Sequence, residues 1–226
     1  MSNYDQAMTN LQGAVVLVVG ATGGLGSRIA VQLEGKGATV VRSSKSAGHD
    51  LRDPAAVQEV LSNTVEQYGQ LDGVVVASGV VAFGAAAELE AKTVDELFAV
   101  NTTSVIQLIS QSQPHLADSA KAGRDPFIVT LSGVVAESPV AGVAAYSASK
   151  AALAAFVTAA GREYRRVGIR VLDARPGHTG TALSEHPIAG TAPKFGAALD
   201  PDGVAARIVT GIVDGEKDLP STAFGQ

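Results

Sequence analysis

The chain has 226 residues, of which 46% are hydrophobic and 17% charged, and its formal net charge is −5. This length and apolar content suit one domain with a sizeable core, which we expect to span residues 1–226. The acidic balance disfavours nucleic acid as a partner, and the absence of cysteine excludes disulfides and thiolate metal sites, so we predict no metal site. A polar N-terminal stretch and the lack of a long apolar run predict a cytoplasmic protein without a membrane partner.

Short β-branched segments alternate with longer segments of helical period. The predicted strands are 15–19, 39–43, 73–78, 127–132 and 169–174, and the predicted helices are 24–35, 54–68, 93–116, 146–167 and 201–213. This alternation predicts βαβ units and a parallel sheet. Because the strands are apolar on both faces, helices must cover both sides, so the fold class is α/β: a doubly wound parallel sheet in three α/β/α layers, the Rossmann fold. We expect an N-terminal arm at 1–12, a substrate loop at 177–201 and a last edge strand at 218–224.

A glycine-rich turn directly follows the first predicted strand and leads into a helix. Glycine permits the sharp turn, lets a pyrophosphate approach the backbone, and allows the helix to pack closely on the strand. The positive end of the helix dipole would face the phosphates. The candidate cofactor-binding residues of this turn are Gly20, Thr22, Gly23, Gly24, Leu25 and Gly26. No Gly-Lys-Ser/Thr closes the segment, which excludes a P-loop, whereas a methyltransferase remains open at this point.

The end of the second predicted strand favours NADP(H) over NAD(H). An NAD site calls for an acidic side chain there, and no carboxylate lies between Glu34 and Asp50. Arg42 could instead form charge-assisted hydrogen bonds to a 2′-phosphate, and Ser43 could add a hydroxyl.

Tyr146 and Lys150 are placed one helical turn apart, at positions i and i+4. An ammonium group beside a phenol stabilises the phenolate and lowers its pKa from about 10 toward the working pH, which suits a general acid or base. An ordinary exposed pair of the same two residue types is the alternative.

These residues resemble the short-chain dehydrogenase/reductase superfamily, in its compact single-domain branch, over most of the chain. Its glycine turn is similar to Gly20–Gly26, its Tyr-x-x-x-Lys motif to Tyr146–Lys150, its asparagine to Asn101, and its Pro-Gly to Pro176-Gly177. The resemblance implies a hydride that passes between a nicotinamide and a substrate carbon while Tyr146 donates or accepts the proton. Lys150 would tune the tyrosine and bind the nicotinamide ribose, and Asn101 would hold a water that links the lysine to solvent.

Further cofactor contacts follow from the resemblance alone. Asp50-Leu51 resembles the pair that contacts adenine, and Ala77-Ser78-Gly79 stands where the family usually has Asn-Ala-Gly beside the adenine ribose. Thr179 and Thr181 resemble residues that meet the carboxamide and the pyrophosphate.

The chain departs from the family at the catalytic serine, expected thirteen residues before the tyrosine, where it has Gly133. Ser132 lies one residue earlier, and a one-residue shift in a strand turns a side chain to the opposite face. Three possibilities remain: a bulge brings Ser132 into the site, Ser138 replaces it, or the donor to the substrate oxygen is missing. Of these three we favour Ser132, which we include among the candidate catalytic residues.

We predict an oxidoreductase for an uncharged small or medium carbonyl or alcohol, because the expected pocket walls are mostly apolar. These walls are Val80, Val81, Phe83, Val134, Val140, His178, Leu183, His186 and Phe195. Relatives commonly pair through the helices at 93–116 and 146–167, which implies a homodimer or homotetramer. The alternative is a noncatalytic NADP(H)-binding sensor or scaffold of the same fold, whereas a methyltransferase leaves Tyr146, Lys150 and Asn101 without a role.

Overall fold

The structure is a computed structural model and describes residues 8–225. Its strands are β1 (Val15–Val19), β2 (Thr39–Ser43), β3 (Gly73–Val76), β4 (Phe127–Leu131), β5 (Arg170–Ala174) and β6 (Asp218–Leu219). Its α-helices are α1 (Gly24–Gly35), α2 (Pro54–Tyr68), α3 (Ala91–Phe98), α4 (Ser104–Lys121), α5 (Ala144–Tyr164) and α6 (Pro201–Val213).

The strands form one parallel sheet in the order β2-β1-β3-β4-β5-β6. One apolar cluster joins one face of the sheet to α1 and α6, and a second joins the other face to α2, α4 and α5. The predicted fold class, a doubly wound parallel sheet between two helical layers, is therefore confirmed. The chain order reverses between β1 and β3, and the crevice at their carboxyl ends is where such sheets bind ligands.

The single helix predicted at 93–116 is wrong. The chain forms α3, then a π-helical segment, Ala99–Thr103, and then α4. A periodic apolar pattern extends through both helices, so the extra backbone residue of the π-segment leaves little trace in the sequence.

The last predicted edge strand forms in part. Only Asp218–Leu219 pair with β5, and a 3-10 segment, Ser221–Phe224, follows. Pro220 stands between them and has no backbone N–H to continue the ladder.

The predicted N-terminal arm lies partly outside the described residues, because residues 1–7 are not among them. Its remainder is attached to the domain: the Thr9 N–H donates to Val213, and Leu11 is buried in the core. Within residues 8–225, none of the helices combines the length and the apolar composition needed to cross a bilayer.

Candidate active site

The glycine turn forms one wall of the crevice between β1 and β3. Gly20 has φ +79°, and a Cβ there would lie 2.6 Å from the backbone nitrogen of Ser78, in the loop after β3. A Cβ on Gly26 would overlap the carbonyl oxygen of Gly20. Only glycine fits these two positions, because the turn packs both on its own helix and on the neighbouring loop.

Buried polar atoms at the same edge fit the adenosine part of a dinucleotide. The hydroxyls of Ser43 and Ser78 and the Nδ1 atom of His49 have no hydrogen-bond partner within residues 8–225. Ser43 ends β2, His49 lies in the loop after it, and Ser78 follows β3. Buried polar groups without partners are costly, and hydroxyls of a nucleoside are suitable partners for them.

Arg42 lies at the end of β2, as expected for a 2′-phosphate ligand. Its guanidinium donates to both carboxylate oxygens of Glu34, at 2.9 Å each, and both side chains are about 40% exposed (39% and 43%). Any anion that Arg42 binds must therefore compete with Glu34, a partner that the sequence reasoning did not identify.

Asp50, the predicted adenine contact, is joined to Arg52. The Arg52 guanidinium donates to both Asp50 oxygens, and its hydrogen bond is the main reason that the pKa of Asp50 is lowered to about 2. Arg52 also reaches Glu96 of α3 at 3.2 Å, and Leu51 is buried in the core. The acid is thus ionised and fixed in place within the loop that follows β2.

Tyr146 and Lys150 lie together near the start of α5. Lys150 Nζ is 5.9 Å from the centroid of the Tyr146 ring and donates to the carbonyl oxygen of Leu131, at the end of β4, at 2.8 Å. Gly79, in the loop after β3, lies next to this pair, since a Cβ there would be 3.4 Å from Lys150 Nζ. The structure therefore brings the predicted pair to the crevice.

Burial sets the pKa values of this pair. It raises the pKa of Tyr146 to about 12 and lowers that of Lys150 to about 8, the latter against an opposing effect of the Asp173 charge. Desolvation is the cause that raises the pKa of the phenol, and the predicted lowering of that pKa by Lys150 stays a prediction. The phenol is consequently protonated at neutral pH.

Asn101 lies in the π-segment and is fully buried. Its Oδ1 accepts from the Val80 N–H at 2.9 Å, and its Nδ2 donates to the Val80 carbonyl at 2.9 Å and to Ser149 Oγ at 3.1 Å. The side chain thereby joins the loop after β3 to helix α5, next to Lys150. The π-segment places Asn101 where a regular helix would have turned it elsewhere.

Ser132 is fully buried, and its hydroxyl donates to Asp173 of β5 at 2.5 Å. The structure does not bring this hydroxyl to Tyr146, so a role as donor to the substrate oxygen would require it to leave Asp173. Ser138 is exposed, in the loop before α5. Gly133 has φ +76°, which only glycine adopts readily, and a serine there would strain the backbone.

The buried carboxylate of Asp173 and the half-buried guanidinium of Arg175 are charges that the sequence reasoning missed. Asp173 accepts from Thr130 at 2.7 Å and from Arg175 at 3.0 Å, in addition to Ser132. The signal in the sequence was Asp173 itself, a carboxylate within a strand that is otherwise predicted to be apolar core.

The substrate loop, which follows Pro176 and begins at Gly177, folds over the glycine turn. Thr181 packs against the start of α1, since a Cβ on Gly24 would lie 2.6 Å from its side chain. The Thr179 hydroxyl instead donates to a carbonyl of its own loop, that of Gly177, at 3.0 Å. Of the two threonines, Thr181 is thus the one that the structure brings to the predicted pyrophosphate position.

An apolar wall stands beside Tyr146. Val81, Phe83 and Val143 form a buried cluster against which the Tyr146 ring packs. Phe195 of the substrate loop lies 6.0 Å from the Phe83 ring and stacks on His178, with ring centroids 4.0 Å apart. A cavity of about 400 Å³ lies between Phe83 and α3, and its lining includes the charged residues Glu88, Glu90, Lys92 and Glu96.

A family model described as short chain dehydrogenase matches residues 44–189, which include Asn101, Tyr146 and Lys150. The chain belongs to the short-chain dehydrogenase/reductase family. The enzymes of this family are oxidoreductases that use a nicotinamide cofactor and act on small molecules.

Individual relatives agree with this membership. Versicolorin reductase from Emericella nidulans is 32% identical over 178 residues, which are 70% of this chain and 65% of that protein, just under two thirds of its length. The 3-oxoacyl-[acyl-carrier-protein] reductase of Salmonella typhimurium is 26% identical over 94% of this chain and 88% of its own length. A dehydrogenase/reductase from Sinorhizobium meliloti superposes with a TM-score of 0.79 at 25% identity, covering 96% of this chain and 97% of its own.

The fold is also that of the 3-ketoacyl-(acyl-carrier-protein) reductase from Brucella melitensis, solved in complex with NADH. That structure superposes with a TM-score of 0.84 over 95% of this chain and 99% of its own, at 22% identity.

Proposed function

We propose that this short-chain dehydrogenase/reductase uses NADP(H) to reduce an uncharged small or medium-sized carbonyl compound, with Tyr146 as proton donor. The observation that carries the proposal is the position of Tyr146, at the crevice beside Lys150 and against an apolar wall. A phenol that is protonated at neutral pH can donate to a carbonyl oxygen, and the phenolate that remains is the base for the reverse reaction.

Different residues would bind the cofactor and transfer the proton, at the two ends of the crevice. Arg42 and Ser43 would hold the 2′-phosphate, the glycine turn with Thr181 the pyrophosphate, and Lys150 the nicotinamide ribose. The bound nicotinamide supplies the hydride. Tyr146 donates its proton to the oxygen atom of the carbonyl, and Lys150 stabilises the phenolate that remains. Val81, Phe83 and Phe195 keep water from this side of the site.

The proposal extends to the whole chain as one domain, to a cytoplasmic location, and to a homodimer or homotetramer. The length and the apolar core support a single domain, and α4 and α5 lie within the helices through which the resemblance implies pairing.

The test is NADPH oxidation over a panel of neutral aldehydes and ketones, repeated with Tyr146→Phe. This change removes the proton donor with little loss of volume, so we expect turnover to fall by about 10²-fold or more. Tyr164→Phe, on the same helix and away from Lys150, is the matched control and keeps wild-type turnover.

A noncatalytic NADP(H)-binding protein is the second candidate, favoured by one observation: Gly133 has no side chain and the Ser132 hydroxyl is bound to Asp173. Tight NADPH binding without turnover of any carbonyl, and unchanged in Tyr146→Phe, would replace the enzyme proposal with this one.

A further inference from the structure

Lys150 is a buried ammonium with little direct compensation. It is 6% exposed, and among residues 8–225 its hydrogen-bond acceptor is one backbone carbonyl, that of Leu131. A buried charge is tolerated only where a countercharge stabilises it. The groups around Lys150 are Tyr146 on its own helix, Asn101 from the π-segment and Asp173 from β5, and of these Asp173 has the carboxyl group that can supply a countercharge.

Asp173 is held in a fixed position relative to Lys150. Its two oxygens accept from Thr130 and Ser132, which flank Leu131 on β4, so both hydroxyls lie on either side of the carbonyl that binds Lys150. The carboxylate is 5% exposed, so the surrounding solvent screens its charge only weakly.

Arg175 neutralises Asp173 incompletely. Its guanidinium is shared among three carboxylates: Asp173 at 3.0 Å, Asp218 at 2.7 Å, and Glu137. One cation among three anions leaves excess negative charge in the cluster, and Asp173 is its most buried member.

We propose that Asp173 is a positioning residue, whose buried carboxylate, fixed by Thr130, Ser132 and Arg175, keeps Lys150 in its ammonium form beside Tyr146. Ser132 then acts through Asp173 and does not contact the substrate oxygen. Burial lowers the pKa of Lys150, and the charge of Asp173 opposes that lowering, as the proposal requires. The inference rests on the proposed function for its catalytic meaning, since Lys150 serves the reaction only as an ammonium.

The test follows Lys150 itself by NMR, so it needs no substrate. Protein labelled with ¹³C-lysine is titrated, the Cε resonance of Lys150 is assigned from its loss in Lys150→Met, and the midpoint is read for each variant. The wild-type midpoint is expected at about pH 8. Asp173→Asn should lower it by about one unit or more, because the countercharge is lost while the shape is kept.

Two further variants give matched controls. Asp218→Asn removes a carboxylate that bonds Arg175 in the same way but is 62% exposed, and it should leave the midpoint unchanged. Arg175→Gln removes the cation and should raise the midpoint, opposite in sign to Asp173→Asn, which keeps the inference testable if Asp173→Asn does not fold. An unmoved midpoint in Asp173→Asn, or one that falls in Arg175→Gln, would overturn the inference.

The alkaline limb of the pH profile for NADPH oxidation should move with the NMR midpoint in each variant. A midpoint that moves in a protein that reduces no carbonyl would count against the proposed function while leaving the charge coupling intact. An active enzyme whose Lys150 midpoint is unchanged in Asp173→Asn would support the proposed function and contradict the charge coupling.

Discussion

The two ends of the cofactor crevice are built differently. At the Tyr146 end, Asn101 and Lys150 are buried and make hydrogen bonds to backbone groups of neighbouring elements. At the other end, Arg42 and Glu34 form an ion pair that is roughly 40% exposed (39% and 43%). Buried polar networks are strong and rigid, whereas exposed ion pairs are weak and exchangeable. The proposed proton transfer thus depends on groups that are held in place. The choice between NADPH and NADH depends on groups that can change partner.

The largest effect on stability is expected when hydrogen bonds at the buried end are removed. Asn101→Ala leaves the N–H and carbonyl of Val80 without a partner, which costs about 3 kcal/mol. For a domain of this size, the melting temperature should fall by about 6–12 °C. Asn63→Ala, on the exposed face of α2, is the control, and thermal unfolding followed by circular dichroism measures both. Equal melting temperatures would show that the π-segment does not depend on this side chain.

A smaller effect is expected at the exposed end, and it should be specific for one cofactor. Arg42→Ala removes the predicted ligand of the 2′-phosphate, so the Kd for NADPH should rise about tenfold, a loss of about 1.4 kcal/mol. The Kd for NADH, which lacks that phosphate, should not change. Fluorescence titration with both cofactors measures the ratio, and equal weakening of the two would assign Arg42 a structural role only.

The smallest effect is expected on NADPH affinity, at the same exposed ion pair. Glu34→Gln removes the anion that competes for Arg42, so NADPH should bind about two- to fivefold more tightly, consistent with an exposed ion pair worth less than about 1 kcal/mol. The gain should shrink as salt is added, because screening weakens the pair in the parent protein. Weaker NADPH binding in this variant would mean that Glu34 orients Arg42 instead of competing for it.

Much of the fold and part of the site could be predicted from the sequence. The β-branched runs before turns predict β1, β2 and β4 to within a residue, and the glycine turn is recognisable because close packing requires it. The spacing of Tyr146 and Lys150 likewise places them on one helical face, as the structure confirms.

Other features depend on contacts between distant residues and could not be predicted. The pairing of Ser132 with Asp173 joins positions 41 residues apart, and Arg42 meets Glu34 only because α1 ends beside β2. The π-segment around Asn101 inserts one backbone residue without changing the apolar pattern. The raised pKa of Tyr146 reflects how much protein surrounds the phenol, which the helical spacing does not reveal.

The substrate loop is fastened at its middle as well as at its ends. Ile188 and Ala189 make backbone hydrogen bonds with Val81 and Phe83, and a Cβ on Gly190 would overlap the Phe83 carbonyl. Near its ends, Leu199 bonds to His178. The two halves of the loop on either side of this tether are also joined to each other, by the Leu199–His178 hydrogen bond and by the stacking of His178 on Phe195. A cover held in this way has to move as one piece to admit or release a ligand.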